Sequence, residues 1–125
     1  MEISRGNVIL VLFPDSNLRT AKRRPALVVQ ADDLQTGLPQ VIVSMITSNM
    51  AHAGHPIRRD ILRGAPQWQL TGLRTDSVIM TDNLATIFHV EIDRVLGRLA
   101  DMRPVDDALS HTLGLARRPQ ATSDE

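Results

Sequence analysis

The sequence contains no cysteine and no tyrosine. Without thiols there is no disulfide framework, no thiolate nucleophile and no cysteine-ligated metal, a usage that fits a reducing compartment. Aromatic side chains are confined to Phe13, Trp68 and Phe88, too few for the platforms on which most single-strand binders stack successive bases. Long apolar runs are missing too. Asn7 to Phe13 spans seven residues before Pro14 and Asp15 stop it, too short to cross a bilayer, and no small-residue cleavage site follows. A soluble, unexported, cytoplasmic protein with no membrane partner is expected. Nucleophile elbows (GxSxG), phosphate loops (GxxxxGK) and dinucleotide fingerprints (GxGxxG) are all absent, which removes the commonest hydrolase, nucleotide and dehydrogenase readings.

The chain has 125 residues and a formal net charge of zero. That length suits one domain, which can bury a core without covalent staples. The balance is uneven along the chain: residues 1–63 sum to +3 and residues 64–125 to −3. A neutral molecule of this kind can still carry a local basic patch.

One stretch organises the rest, Lys22 to Ala31, reading KRRPALVVQA. Lys22, Arg23 and Arg24 stand side by side, Pro25 follows, and Ala26-Leu27-Val28-Val29 reads as a buried strand. Proline starts strands but is kept out of the middle of central ones, and it steers the preceding residue away from helical backbone. Arg24 is therefore expected to be extended and held at the mouth of a rigid strand that begins at Pro25. A guanidinium with few rotamers left to lose is suited to a bidentate grip on phosphate. A solvated run of surface cations accounts for the same residues.

Asn7 to Phe13 reads as a central strand and Pro14 to Asn17 as a turn. The polar, basic segment from Pro14 to Arg24 is longer than a hairpin needs. Gln40 to Thr47 reads as a third strand, closed by Ser48-Asn49. Ile57 to Leu62 has the look of a short edge strand, Asp76 to Thr81 of another strand, and Leu84 to Phe88 of a further short one. Val90 to Leu99 fits either strand or helix, with Val95 to Leu99 closing a sheet and Gly97 at a bulge or close approach. Val105, Ala108, Leu109, Thr112 and Leu113 fall on one helical face, with Asp101 placed to cap the start, Pro104 in the first turn and Gly114 at the stop. Residues 1–116 form the expected domain and 117–125 a loose tail. Short strands, Gly/Pro turns and one terminal helix predict a mostly β (α+β) domain, a curled sheet or small barrel closed by a helix.

Metal chemistry finds little to stand on. His52 and His55 lie in a Gly/Pro loop with Asp60 nearby, short of the three or four ligands at defined spacing that zinc requires; no metal and no other cofactor is expected. The stronger constellation pairs Arg24, at the start of one strand, with Thr47 and Ser48, at the end of another. If those strands run antiparallel, a guanidinium and two hydroxyls share one rim. Such a trio can hold a phosphodiester and stabilise the charge that grows on its oxygens. The substrate must then bring its own nucleophile, as RNA does with its 2′-hydroxyl. Thr47 and Ser48 serve equally well as the residues that end a strand and open a turn.

The segments RGNVILV, KRRPALVV, VIVSMITSN, GLRTDSVIMTDNLATI, LGRLAD and VDDALSHTLGL follow one another over roughly residues 5 to 115. In that order they resemble the MazF/PemK family of toxins from type II toxin–antitoxin systems. The resemblance implies an SH3-like twisted barrel of the MazF, Kid and CcdB type with a C-terminal helix. It further implies a homodimer, a cognate antitoxin as partner, and DNA binding by the toxin–antitoxin complex. Its members that look like MazF are metal-independent endoribonucleases; they cut single-stranded RNA and leave a 2′,3′-cyclic phosphate and a 5′-hydroxyl. Carried across, the catalytic residues are Arg24 and Thr47, with Lys22, Arg23, Ser48, Asn49 and Asp82 binding substrate. Kid-like members also carry an Arg and an Asp on the strand after the Gly-rich segment; here Met80 stands in the Arg position and Asp82 keeps the Asp. The first loop, DSNLRTAKR, departs from the family's GxEQ-like run, so the cleaved sequence does not carry over. A CcdB-like inhibitor of a topoisomerase, or an inactive homologue that only binds its antitoxin, is the alternative.

Overall fold

The computed structural model describes residues 2–14, 17 and 19–115. The expected tail at 117–125 lies outside them. Six strands form one sheet: β1 (Asn7–Pro14), β2 (Ala21–Val28), β3 (Gln40–Thr47), β4 (Arg59–Ile61), β5 (Ser77–Phe88) and β6 (Ile92–Arg98). Their order is β4-β5-β3-β2-β1-β6, and all neighbours pair antiparallel. The sheet curls into a half-barrel, with α1 (Trp68–Thr71) before β5 and α2 (Arg103–Leu113) at the C-terminal end. No helix among the described residues is long and apolar enough to cross a membrane.

Strand alternation explains why both faces of the sheet are buried. Successive residues of a strand point to opposite faces. Ile9 and Val11, Ala26 and Val28, and Val41, Val43 and Met45 meet in one apolar cluster with Ile87 and Ile92. The intervening Val8 and Leu27 join Ile46, Ile61, Leu73, Ile79, Leu99 and Val105 in a second cluster, against which Trp68, Met102 and Leu109 pack. Hence β1 and the Ala26–Val28 half of β2 read as apolar runs. The helix face marked by Val105 and Ala108 is buried against this second cluster, while Leu113 at its far end is exposed. Gly114 ends α2 with φ 67, its N–H donating to the carbonyls of His111 and Ser110.

Several elements differ from expectation, each for a local reason. β2 begins at Ala21, so Lys22, Arg23 and Arg24 lie within the strand and Pro25 sits mid-strand. Proline is tolerated there because β3 pairs with β2 only over Ala26–Val28. At Pro25 the β3 side of the strand is an open edge, where a missing N–H costs no ladder bond. The two short strands expected around residues 76–88 are one, β5. Its register against β3 jumps between Ser44↔Leu84 and Met45↔Met80, and the buried Ser44 hydroxyl donates to the Met80 carbonyl across this bulge at 2.8 Å. β4 is shorter than the 57–62 expectation. The ambiguous 90–99 segment resolves into a 3₁₀ turn, His89–Glu91, followed by β6. At the start of α2 the cap position is Met102, not Asp101. Asp101 acts from one residue earlier, Oδ1 accepting from the Arg103 N–H at 3.1 Å.

Two glycines let backbones meet. A Cβ on Gly97 would stand 2.1 Å from the Leu70 carbonyl oxygen, and one on Gly72 would stand 2.2 Å from that of Leu96. α1 and its turn therefore seat directly on β6, where Leu96 bulges out of register with β1. Arg5, in the RGN segment, straps the start of β1 to the far end of the chain: its guanidinium donates to the Val29 carbonyl and to Asp106 on α2, the latter at 2.6 Å.

Candidate active site

The β2–β3 ladder ends at the rung Ala26↔Met45. Continuing the same register by two steps places Arg24 opposite Thr47. Pro25, one step past the last rung, has no N–H with which to extend the ladder. The opening is a cleft of about 790 Å³, lined by Lys22, Arg23, Arg24 and Pro25 from β2 and by Ile46, Thr47 and Ser48 from the end of β3. The opposite wall comes from residues just before β5 and from β6, among them Arg74, Thr75, Ser77 and Arg94.

Thr47 is half-buried and its Oγ1 accepts from the Asn49 N–H at 3.1 Å. A hydroxyl that accepts one bond keeps its proton and another lone pair, so shaping the turn leaves Thr47 able to donate into the cleft. Asn49 points its Oδ1 at the Ala51 N–H at 3.0 Å and caps the 3₁₀ turn Met50–His52. That bond fixes the backbone immediately after Thr47-Ser48. Arg23 is held by Asp93 of β6 at 3.4 Å. The cleft lining holds five Lys/Arg side chains and no carboxylate, so the potential inside favours an anion.

Of the residues marked from sequence, Lys22, Arg23, Arg24, Thr47 and Ser48 line this cleft; Asn49 and Asp82 do not. Asp82 is engaged elsewhere. Arg58, on the segment leading to β4, reaches it through two bonds, Nε to Oδ1 at 3.2 Å and Nη2 to Oδ2 at 2.8 Å. The hydrogen bond from Arg58 holds the Asp82 carboxyl below the usual carboxylate range. Met80, where Kid-like members carry an arginine, is half-buried and opposite Met45. A guanidinium does meet Asp82, but it arrives from a different part of the chain. Beside it the Thr81 hydroxyl donates to the Ile57 carbonyl, a second tie between β5 and the segment after the 3₁₀ turn. The His55 Nδ1 accepts from the Ile57 N–H, and Asp60 from the Gly54 N–H. Among the described residues no group of three or more His, Asp or Glu side chains is placed to hold a metal ion.

Sequence reasoning missed Arg74 and Arg94. Each is an isolated cation in its own segment, and only the curl of the sheet brings them to the cations of β2. The one available signal was Arg74 within the quoted GLRTDS segment, between a positive-φ glycine and a strand.

Residues 4–113 match the pattern of the PemK-like, MazF-like toxins of type II toxin–antitoxin systems. The chain belongs to this family. Endoribonuclease MazF2 from Mycobacterium bovis is 34% identical over 119 residues, covering 92% of this chain and 100% of the relative. Endoribonuclease MazF6 from Mycobacterium tuberculosis matches to the same extent, 34% over 92% of this chain and 100% of its own. Among solved structures, an endoribonuclease in complex with its cognate antitoxin from a mycobacterial species superposes with a TM-score of 0.69, at 21% identity, over 93% of this chain and 99% of that one. A MazF from Deinococcus radiodurans gives 0.65 at 18% identity over 92% and 99%. These superpositions bear out the half-barrel with a terminal helix expected for this toxin family.

Proposed function

We propose that this protein, an endoribonuclease of the MazF kind, cuts single-stranded RNA through the substrate's own 2′-hydroxyl. The products are a 2′,3′-cyclic phosphate and a 5′-hydroxyl, and no metal ion takes part. The observation that carries the reading is that Arg24 and Thr47 line one cleft, whose lining holds five cations and no carboxylate.

In this reading the scissile phosphate sits between Arg24, within β2, and Thr47, at the end of β3. The 2′-oxygen attacks phosphorus as its proton passes to solvent water. The P–O2′ bond forms, the P–O5′ bond breaks, and the departing 5′-oxygen takes a proton back from solvent. Along the way charge builds on the two non-bridging oxygens. Arg24 grips those oxygens with its planar fork. A guanidinium keeps its proton at neutral pH and is a poor base, so its contribution is charge stabilisation and support of the departing 5′-oxygen. Thr47 donates its hydroxyl proton to a phosphate oxygen from a turn that Asn49 holds in shape. Ser48, Lys22 and Arg23 hold the flanking substrate.

A homodimer and a cognate antitoxin belong to the same proposal. Family membership supports both, and the solved mycobacterial relative, which is in complex with its antitoxin, supports the second. A cleft that takes polyanionic RNA also suits an acidic, unstructured antitoxin segment that folds on contact.

The test is to incubate the purified protein with a defined long RNA, with and without EDTA, and to map the ends. Equal cutting in both, with cyclic phosphate on the upstream fragment, is the expected result. Intact RNA together with topoisomerase poisoning would replace this reading with the CcdB-like one.

A further inference from the structure

We infer that Arg74 and Arg94 form the far wall of an RNA backbone track, contacting phosphates that flank the one being cut; the inference rests on the ribonuclease reading of the cleft. Both line the cleft that holds Arg24 and Thr47. Arg94 lies on β6, paired with Leu10 of β1, and Arg74 on the turn between Gly72 and β5. They therefore reach the cleft from elements other than β2 and β3.

Their charge state sets them apart from most arginines of the fold. Arg5, Arg23, Arg58, Arg59 and Arg103 each meet an aspartate within ion-pair distance. Among the described residues no carboxylate pairs with Arg74 or Arg94, both of which are exposed. Two such cations in a concave site that also holds Lys22 raise its positive potential, which in solution small counterions offset. A polyphosphate chain replaces those counterions and releases them. Nothing about this placement touches the reacting bond. The two arginines bind and orient, while Arg24 and Thr47 act on the scissile phosphate.

The positions are held rigidly enough for this. A Cβ on Gly72 would meet the Leu96 carbonyl, and one on Gly97 would meet the backbone of Leu70 and Thr71. The turn carrying Arg74 and the strand carrying Arg94 are thus packed backbone against backbone.

The experiment uses the full chain and an RNA that it cuts, made non-cleavable by a 2′-deoxy sugar at the mapped cut. Affinity is measured across a KCl series for wild type, Arg74→Gln and Arg94→Gln, beside kcat and KM on the cleavable RNA. Losing one phosphate contact lowers the slope of log Kd against log salt by about 0.7 and weakens binding about 5-fold near 0.1 M salt. KM should rise by a similar factor with kcat nearly unchanged. Wild-type slopes and KM in both variants would overturn the inference. So would weakened binding confined to an acidic peptide with RNA affinity intact. If the wild type cut no RNA, a fixed single-stranded oligonucleotide would replace the mapped substrate. Lowered slopes on it would keep the track and remove the ribonuclease reading; unchanged slopes would remove both.

Discussion

Arg24 and Thr47 line one cleft from two strands whose ladder ends at Ala26↔Met45, two residues short of each. Pro25 stands at the first step past that rung. Having no N–H, it loses no ladder bond where β3 has left β2. The open edge of β2 and the end of β3 bring a cation and a hydroxyl to the same cleft.

The first prediction concerns this pair. Arg24→Ala and Thr47→Val should each lower kcat by about 100- to 1000-fold, the scale seen when one preorganised donor to a developing oxyanion is removed. Binding of non-cleavable RNA should fall far less. Arg24→Lys should recover only part of the loss, since an ammonium cannot present the parallel fork. Single-turnover cleavage alongside fluorescence anisotropy checks both quantities.

Asp82 tests positioning against direct chemistry. Its carboxylate is held by Arg58, which also reaches the His52 carbonyl at 3.5 Å. The pair therefore anchors the 3₁₀ turn that follows Thr47-Ser48. Arg58→Met and Asp82→Asn should each lower the Tm by a few degrees and reduce cleavage modestly, by less than about 10-fold, whereas a catalytic carboxylate would cost about 100-fold or more. Thermal melts and cleavage rates on the same preparations separate the two outcomes.

Backbone proximity makes Gly97 irreplaceable. In Gly97→Ala the added methyl would lie 2.1 Å from the Leu70 oxygen, with rigid backbone on both sides, so α1 must lift from β6. Tm should drop sharply and the wall that carries Arg74 should shift with it. By comparison, Leu27→Ala, at a fully buried position of the second cluster, should cost about 2–5 kcal/mol in chemical denaturation through cavity formation alone.

The acid side of the stability profile follows from Asp101. The hydrogen bond from the Arg103 side chain, aided by its backbone N–H, lowers this carboxyl from 3.8 to about 2. A carboxylate whose pKa is depressed in the folded state contributes stability that is complete above its unfolded value. That contribution is lost as the pH falls toward the folded one. The Tm difference between wild type and Asp101→Asn should thus be largest at about pH 5 and above, and should shrink between pH 3.8 and about 2. A difference that grew on acidification would contradict the sign.

Much of this was legible in the chain because it depends on local pattern. Apolar runs gave β1, β2 and β3, and the 105–113 periodicity gave α2. Thr47 stood out as the end of a strand, which it is; Arg24 stood out as the start of one, whereas β2 begins three residues earlier. What was not legible depends on distant partners. Pro25 argued against a mid-strand place, since nothing local reveals that β3 has already left β2. The single β5 was hidden by its own bulge, where the Ser44 hydroxyl answers the Met80 carbonyl. Asp82 read as a possible substrate ligand until Arg58 was seen to reach it across 24 residues. Arg74 and Arg94 gained their meaning only from the curl of the sheet.

The most direct test of the account is cleavage of one defined RNA in EDTA, compared with the same RNA carrying a single 2′-deoxy sugar at the cut. The account predicts that the all-RNA strand is cut to a 2′,3′-cyclic phosphate and a 5′-hydroxyl, and that the substituted strand survives at that position. Cutting of the 2′-deoxy strand at the same bond, with a 5′-phosphate left behind, would contradict it.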